Sequence, residues 1–275
     1  MLSLYKTSLR SLNSIASACY SAQLKPLQKI IMLCGAPGVG KGTYSKLLAE
    51  DFGYVKISTG DEIRKIMSGN KASGLSANTV SKLKRYVNSG RLVPDEIIMD
   101  ILYEKISHPD SAKGVILDGF PRTVNQLHMF TQVFPIHLVV NIQHSFEYLM
   151  ASILGRRTCM DCGTSYSAYS FYKDGYELDV MMPKKEGVCD CCGGKVGIRE
   201  DDKEEIVKAR LKEYNEKTFP LLQTLAEEKI LIPFEAKRGI RDYPQLQQIV
   251  VSQLGLPCFY HEFHSPDHHQ ILYSN

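Results

Sequence analysis

The sequence contains neither tryptophan nor a long uninterrupted apolar run. None of its apolar segments approaches the roughly 18 residues that a membrane-spanning helix needs, so we predict no membrane span and no membrane partner. Apolar residues make up 44% and charged residues 23% of the 275 positions, as in ordinary globular proteins. A chain of this length suits one large domain, or one domain that carries insertions.

The sequence also lacks an excess of basic charge outside its N-terminal end. The net charge of +3 is matched by three basic residues among the first 28, which are Lys6, Arg10 and Lys25. Without these three, the remaining basic residues balance the 30 acidic ones. Nucleic-acid binding relies on excess Lys and Arg to neutralise phosphates, so the neutral remainder predicts no nucleic-acid partner.

Acidic residues are absent from the chain before Glu50. Residues 1–28 contain six serines, and Leu2, Tyr5, Leu9 and Leu12 recur at helical spacing. A basic, serine-rich, acid-free and amphipathic segment is typical of a mitochondrial targeting peptide. The alternative is a disordered tail without a targeting function, in which case the protein would be cytoplasmic.

Residues 257–275, at the other end of the chain, show no hydrophobic periodicity. They hold four of the eight histidines, which are His261, His264, His268 and His269. A metal site is one interpretation of this group, but we favour a solvated, flexible tail.

Between these ends, short apolar runs alternate with helical patterns. The runs at 30–33, 54–57, 115–117, 137–140 and 230–232 predict strands, and the segments 44–52, 94–106 and 202–228 predict helices. Gly53 suits the C-terminal cap of the first helix, and Pro94 suits the first turn of the second. The alternation predicts an α/β fold with a five-stranded parallel sheet and helices on both faces. Ligands bind such sheets at the carboxyl ends of the strands.

A glycine-rich segment at 34–43, CGAPGVGKGT, follows the first predicted strand and opens the first predicted helix. Glycines let successive backbone N–H groups point at phosphate oxygens, and the helix N-terminus and Lys41 add positive potential. The usual phosphate-loop pattern places Ser or Thr directly after the lysine, whereas here Gly42 intervenes before Thr43. The motif predicts a nucleotide-phosphate site rather than a purely structural turn.

Two further polar clusters follow the second and third predicted strands. STGDEIR at 58–64 and LDGFPRTVNQ at 117–126 each contain an acid, a glycine and an arginine. An arginine fork suits a phosphate group, and an aspartate suits magnesium-bound water. Three such clusters at strand ends favour phosphate chemistry over unrelated surface salt bridges.

Five of the eight cysteines lie between positions 159 and 192, in the segments CMDC at 159–162 and CDCC at 189–192. Paired Cys-x-x-Cys knuckles suit a tetrahedral structural zinc site, with Cys159, Cys162, Cys189 and Cys192 as ligands. Cys191 is an alternative to Cys192, although a Cys-x-Cys pair would be cramped.

Together with GRR at 155–157, these motifs resemble the adenylate kinases, in particular the long form with a zinc-type lid, over about residues 29–255. The resemblance implies a core of the P-loop kinase type formed by 29–57, 88–156 and 200–256. It also implies an AMP-binding insertion at 58–87 and a zinc-binding lid at 157–199. The targeting segment 1–28 and the tail 257–275 would flank these parts.

The resemblance further implies roles for individual residues. ATP is expected to contact Gly38, Val39, Gly40, Lys41, Gly42, Thr43, Arg156, Ser165, Tyr166 and Arg238. AMP is expected to contact Thr59, Arg64, Arg91, Leu92, Val93, Gly119, Phe120, Pro121, Arg122, Gln126, Arg199 and Arg210. The expected catalytic residues are Lys41, Arg122, Arg156, Arg199 and Arg210, and Asp61 and Asp118 are expected to position the water ligands of Mg²⁺.

The activity that the resemblance implies is reversible, Mg²⁺-dependent phosphoryl transfer from ATP to AMP, which yields two ADP. Such a reaction needs no catalytic base, because the acceptor oxygen of AMP is already anionic at neutral pH. The protein must instead align two repelling anions and stabilise charge on the moving phosphoryl group. We expect a monomer.

One position departs from the family pattern. The family often has an arginine four residues before the first arginine of GRR, where it packs on the ATP base, and Ser152 stands there in this chain. GTP is therefore a second candidate donor. The alternative enzymes are a GTP:AMP phosphotransferase and a pyrimidine-nucleoside-monophosphate kinase. Outside the kinases, a zinc-ribbon nucleic-acid-binding module would explain the cysteines alone, and a nucleotide-triggered switch would explain the phosphate loop alone.

Overall fold

The computed structural model of the protein describes residues 28–68, 77–227 and 230–256. Most of the expected targeting segment, residues 69–76 of the expected AMP-binding insertion and the expected tail 257–275 lie outside this part of the chain. Among the described residues, no helix combines the length and the apolar character that crossing a membrane requires.

The described strands and helices alternate through the first half of the chain, as the apolar pattern predicts. The strands are β1 (Lys29–Cys34), β2 (Val55–Ser58), β3 (Gly114–Asp118), β4 (Leu138–Gln143), β5 (Arg156–Cys159), β6 (Ser165–Ser167), β7 (Val196–Gly197) and β8 (Leu231–Glu235). The helices are α1 (Lys41–Phe52), α2 (Thr59–Met67), α3 (Ala77–Asn88), α4 (Asp95–Ser107), α5 (Val124–Thr131), α6 (Phe146–Leu154), α7 (Glu204–Glu213), α8 (Phe219–Glu227) and α9 (Tyr243–Leu254).

Five strands form one parallel sheet in the order β2-β3-β1-β4-β8. Side chains of β1 alternate between its two faces, because successive residues of a strand point in opposite directions. Ile31 and Leu33 belong to one hydrophobic cluster, and Ile30 and Met32 belong to the other. Both faces are therefore buried under helices, which confirms the predicted α/β fold with its five-stranded parallel sheet.

The long helix predicted at 202–228 is divided in the structure. α7 ends at Glu213, a π-helical segment covers Tyr214–Thr218, and α8 begins at Phe219. Pro220 explains the division, because proline has no N–H to donate and its ring clashes with the carbonyl four residues earlier. A separate 3₁₀ turn at Glu200–Asp202 precedes α7, which begins at Glu204, so the predicted helix start at 202 was two residues too early.

Two smaller differences have local causes. α1 begins at Lys41, three residues before the predicted start, because the phosphate loop runs directly into it. β8 continues through Pro233 to Glu235, beyond the predicted end at 232. A proline is tolerated there because β8 is an edge strand, which has no neighbour on its outer side.

A second, small sheet lies between α6 and α7. It is antiparallel, with the order β6-β5-β7. An irregular hairpin, residues 167–181, leaves this sheet after β6 and is closed by the bridges Ser167↔Met181 and Phe171↔Leu178. Its turn contains Asp174 and Gly175, which both have positive φ. We call residues 167–181 the lid hairpin.

Candidate active site

The phosphate loop lies between β1 and α1, where the backbone takes conformations that favour glycine. Gly35 and Gly38 have φ values of 133° and 90°. A Cβ on Gly35 would lie 2.3 Å from the carbonyl oxygen of Ile142, so no larger residue fits. α1 begins without a side-chain cap. Its first N–H groups therefore remain available for an anion, which helix N-termini favour.

Lys41 is held inside the loop. Its Nζ donates hydrogen bonds to the carbonyl oxygens of Gly35 and Ala36, both at 2.8 Å. Burial lowers the pKa of Lys41 to about 8, although the carboxylate of Asp118 opposes this effect. The loop thus places a cation beside its glycines, in a site with little solvent.

The acidic and basic residues of α2 are paired with each other. Ser58 caps the helix by accepting a hydrogen bond from the Asp61 N–H. Arg64 donates to Asp61 Oδ1 at 2.6 Å, and its other end lies 3.6 Å from Asp201 Oδ2. Burial alone would raise the pKa of Asp61, but Arg64 and Lys56 outweigh burial and lower it to about 2. Asp61 is therefore ionised at neutral pH.

Arg122 is positioned by the loop that follows β3. Its Nε donates to the Gly119 carbonyl at 2.7 Å, and burial lowers its pKa. Gln126 accepts from the Arg122 N–H through Oε1 and donates through Nε2 to Asp95 Oδ1, both at 2.8 Å. The Gln126 amide thus anchors the arginine loop to the start of α4. Its expected contact with the AMP base stays a prediction.

Two arginines on this side of the cavity pair with two aspartates, and a third arginine lies near them. Arg156 makes a two-point ion pair with Asp202, and Arg210 lies 3.1 Å from Asp201 and 3.3 Å from Asp202. Arg199 donates to the Thr158 hydroxyl at 3.0 Å. Burial and the neighbouring arginines Arg156 and Arg64 lower the pKa of Arg199 to about 9. The cations are crowded, and Asp201 and Asp202 hold them together.

Four sulfur atoms converge in the lid. The Sγ atoms of Cys159, Cys162, Cys189 and Cys192 all lie within 4.8 Å of one another. The Cys159–Cys192 and Cys162–Cys189 distances are 3.5 and 3.6 Å. Thiolates around a tetrahedral zinc, with Zn–S bonds of about 2.3 Å, would lie about 3.8 Å apart. The half-buried Cys191 is not part of this group.

Neighbouring side chains orient these cysteines. The buried Tyr166 donates its hydroxyl proton to Cys189 Sγ at 3.4 Å and accepts from the Asp190 N–H at 2.9 Å. The Thr164 hydroxyl lies 3.1 Å from Cys162 Sγ. Hydrogen bonds of this kind are common around metal-binding thiolates.

One cavity of about 830 Å³ joins these groups. The predicted nucleotide-site residues that line it are Gly38, Val39, Gly40, Lys41, Gly42, Thr43, Thr59, Asp61, Arg64, Arg91, Leu92, Val93, Asp118, Gly119, Pro121, Arg122, Gln126, Arg156, Ser165, Tyr166, Arg199, Arg210 and Arg238. Of the four cysteines, Cys162 also lines it. Phe120 does not line it, because its side chain is fully buried against Phe130.

Several residues of this site were missed in the sequence. Three aspartates lie in or next to the first turn of a helix, namely Asp95, Asp201 and Asp202. Acidic residues are common there because they interact favourably with the helix dipole, so their presence in the sequence indicates no particular function. Lys56, which donates to the Gly42 carbonyl at 3.2 Å, lies within β2. The function of a lysine or an acidic residue at such a position can be inferred only when its neighbours in space are known.

Ser152 has a definite contact in the structure. Its hydroxyl donates to the carbonyl oxygen of Gly38 at 2.9 Å. The side chain therefore braces the phosphate loop at the position where the expected family pattern places a base-packing arginine.

Known proteins are similar in sequence to this chain over most of its described length. A family model described as adenylate kinase matches residues 33–230. An adenylate kinase from Caldicellulosiruptor saccharolyticus is 37% identical over 217 residues, which cover 77% of this chain and 94% of the relative. One from Geobacter sp. strain M21 is 42% identical over 197 residues, with coverages of 70% and 85%. One from Methanosarcina barkeri is 38% identical over 215 residues, with coverages of 76% and 92%.

Proposed function

This chain belongs to the adenylate kinase family, and we propose how its own residues carry out the reaction of that family. It is a nucleoside-monophosphate kinase that transfers a phosphoryl group from ATP to AMP, with Mg-ATP as the donor. Family membership makes the chain an enzyme. The nucleic-acid-binding module and the nucleotide switch are therefore no longer needed to explain its motifs.

The observation that carries the assignment of roles is the convergence of Lys41 and five arginines on one cavity. In this proposal the N–H groups of the phosphate loop and Lys41 hold the donor phosphates. Arg64 and Arg122 hold the phosphate of AMP. Arg156, Arg199 and Arg210 stabilise the charge of the phosphoryl group during transfer.

Asp61 and Asp118 fit the expected magnesium site. Both line the cavity next to the phosphate loop, and the low pKa of Asp61 keeps it anionic. They would hold water ligands of the ion, as carboxylates commonly do for Mg²⁺. When bound, the ion neutralises charge on the donor phosphates.

We assign the four clustered cysteines to one structural zinc ion, because their sulfur spacing is close to that of a tetrahedral thiolate site. Four protein ligands leave no open coordination position, so the metal would stabilise the lid and take no part in the chemistry. The zinc-bearing part would be the lid at 157–199, between a core at 29–57, 88–156 and 200–256 and an AMP-binding insertion at 58–87. We propose that the protein acts as a monomer.

A second part of the proposal concerns the base of the phosphoryl donor. Ser152 is bound to the Gly38 carbonyl, and the hairpin residues Glu177 and Asp179 line the same cavity as Arg238. Carboxylates accept hydrogen bonds from the N–H groups of guanine, which adenine does not present in the same pattern. These features support GTP as a second donor beside ATP.

A panel of substrates tests the assignment. We expect purified protein to prefer AMP to CMP and UMP by at least about tenfold, which corresponds to roughly 1.4 kcal/mol. Equal turnover of AMP and CMP would favour the pyrimidine-nucleotide alternative. A second assay compares ATP with GTP as the phosphoryl donor at saturating AMP. If no phosphoryl group is transferred from GTP, the GTP proposal is wrong.

We also propose that residues 1–28 direct the protein to mitochondria. The support is their basic, serine-rich and acid-free composition. The similar proteins described above come from bacteria and an archaeon, so they do not bear on this point. A fusion of residues 1–28 to a fluorescent reporter should enter mitochondria, whereas diffuse cytosolic fluorescence would contradict the proposal.

A further inference from the structure

Two side chains of the lid hairpin, Tyr176 and Lys173, contact the core outside the nucleotide cavity. Tyr176, which is only 4% exposed, donates its hydroxyl proton to Glu235 Oε1 at 2.8 Å. The same hydroxyl oxygen accepts from the Ser145 N–H at 3.2 Å. One side chain of the hairpin thereby joins the end of β8 to the start of α6.

Aromatic packing reinforces this contact. The ring of Tyr176 stacks on Tyr148 of α6, with centroids 6.0 Å apart and planes at 15°. Phe171, on the opposite arm of the hairpin, packs on Tyr148 at 5.6 Å and on Tyr176 at 5.5 Å. Lys237 lies over the outer face of Tyr176, 5.7 Å from its centroid. These residues form a small hydrophobic cluster between lid and core.

Ion pairs flank the aromatic cluster on both sides. Lys173, at the turn of the hairpin, lies 2.6 Å from Glu147 in the first turn of α6. Arg241, which follows β8, lies 3.7 Å from Glu177 and 3.6 Å from Asp179. The Glu177 N–H also donates to the Lys237 carbonyl at 2.9 Å. The hairpin is thus fixed to two separate elements of the core.

The same hairpin forms one wall of the cavity. Leu178, Val180 and Met181 line it, opposite Gly239 and Ile240 of the core. The approach is close, since a Cβ on Gly239 would lie 2.8 Å from Leu178 Cδ2. In contrast, Lys173, Tyr176, Glu147 and Glu235 do not line the cavity. The contacts of Lys173 with Glu147 and of Tyr176 with Glu235 are therefore separate from contacts that a nucleotide can make, whereas Tyr148, Glu177, Asp179 and Arg241 line the cavity.

We propose that the lid hairpin is a latch, in which Tyr176 and Lys173 hold the hairpin in the position seen here through their contacts with the core. They act as positioning residues, because they raise the fraction of molecules whose cavity wall is in place before the donor binds. The apparent affinity of a ligand falls in proportion to the fraction of binding-competent protein. The latch therefore sets the KM for ATP without touching ATP. The inference rests on the proposed division into lid and core.

The Lys173–Glu147 pair gives the sharpest test. Lys173→Glu and Glu147→Lys each place like charges together, and each should raise the KM for ATP about two- to fivefold, the range expected for an exposed ion pair. The double exchange should restore the KM to within about twofold of the original. The KM for AMP and the kcat should change less than the KM for ATP, because neither residue lines the cavity.

A matched control exists in α7. Lys208 and Glu204 are also 2.6 Å apart and similarly exposed, and Glu204 also lies in a first helical turn. Their exchange affects one helix only, so Lys208→Glu should leave both KM values unchanged. Tyr176→Phe keeps the stacked ring and removes the hydroxyl, and it should raise the KM for ATP in the same way as Lys173→Glu.

A fluorescence signal can follow the latch directly. The chain has no tryptophan, so Phe171→Trp provides a single reporter inside the aromatic cluster. We expect its emission to shift to longer wavelength on adding Lys173→Glu, and to return when Glu147→Lys is also present. An unchanged KM for ATP in the single variants, an equal rise for AMP, or no restoration in the double variant would overturn the latch. Absence of ATP:AMP transfer in the unmodified protein would contradict the proposed function instead.

Discussion

The proposed core and the proposed lid both line the same cavity but are stabilised in different ways. In the core, both faces of the sheet are covered by large clusters of buried apolar side chains. In the lid, the buried group around the small sheet consists of Cys159, Cys189 and Tyr166, with Cys191 and Val196 packed beside it. Burial of apolar surface can hold the core without any ligand. The lid has too little of it, and four thiols stand where a hydrophobic core would be.

Because of this difference, we expect substitutions in the core and in the proposed lid to affect the reaction and the stability of the fold differently. Residues that face phosphates in the core rest on a framework that does not depend on them. At the edge of the proposed lid, Arg156, which begins β5, is three residues from Cys159 of the cysteine cluster. A change in the core site should therefore affect the reaction alone, whereas a change in the lid cluster should affect the fold of the lid and, through it, the reaction.

Replacement of Lys41 tests the core side of this comparison and should have the largest effect. Lys41→Met and Arg122→Ala should each lower kcat by on the order of 100-fold, because each removes a charge that stabilises the transferring phosphoryl group. Thermal unfolding should show no large loss of stability. Lys65→Met, at an exposed ion pair of α2, is the control and should retain full kcat. Near-full kcat in either site variant would contradict its role.

Removal of one zinc ligand tests the lid side. Cys159→Ser should release the metal and lower kcat/KM on the order of tenfold, because loss of bound metal shifts the lid towards its unfolded form. Circular dichroism should show the helical core unchanged. Metal analysis should find one zinc per chain in the unmodified protein and in Cys191→Ser, and none in Cys159→Ser. Loss of zinc in Cys191→Ser would mean that the ligand set is wrong.

The pH dependence of kcat/KM tests how strongly the core buries its lysine. Because burial lowers the pKa of Lys41 to about 8, its charge is lost as the pH rises through that value. We expect kcat/KM for ATP to fall above pH 8, by up to about tenfold per pH unit. Lys41→Arg should flatten this decline, since arginine keeps its charge. An unchanged decline in that variant would assign it to another group.

As the pH rises, the change in stability that Lys41 causes should be opposite to the change in activity. The unfolded chain keeps the Lys41 proton up to its ordinary pKa of 10.5, whereas the folded chain loses it near 8. Between these values the unfolded state binds more protons, so this group's contribution to stability improves as the pH rises. Activity and stability should therefore diverge above pH 8, and urea titrations at pH 7.5 and 9.5 would measure the second trend.

The contact between α6 and the phosphate loop should give the smallest effect. Ser152→Ala removes the hydrogen bond to the Gly38 carbonyl, and a bond of this kind contributes about 0.5–1.5 kcal/mol. We expect the KM for ATP to rise about two- to tenfold while the KM for AMP stays constant. Ser252→Ala removes a hydroxyl that donates to a helix carbonyl in α9, far from the cavity in the fold. If both substitutions change the KM for ATP equally, Ser152 has no specific role in donor binding.

The core could be predicted from sequence because its signals are local. Four consecutive apolar residues precede a glycine-rich loop at β1, and the same order of strand and polar cluster recurs at β2 and β3. The strand order and the π-helical segment at Tyr214–Thr218 have no such signal. The broken helix could have been anticipated only from Pro220.

In the proposed lid, the cysteine cluster could be predicted from sequence and the shape of the hairpin could not. Cys-x-x-Cys spacing singles out four sulfurs, and their clustering agrees with the choice of Cys192 over Cys191. The arms of the lid hairpin are joined by isolated bridges rather than by regular strands, and no strand was predicted there. Its contacts with Glu147, Glu235 and Arg241 join residues distant in sequence, which spacing cannot reveal.

The aspartates that bind the site arginines have a consequence for turnover. Asp201 and Asp202 already neutralise much of the charge on Arg156 and Arg210. An arriving phosphate must therefore compete with a built-in anion, and binding resembles ion exchange more than the filling of a bare positive pocket. The same carboxylates can take the arginines back when the transfer is over. A site of this kind holds phosphates tightly enough to align them and still lets both ADP products go.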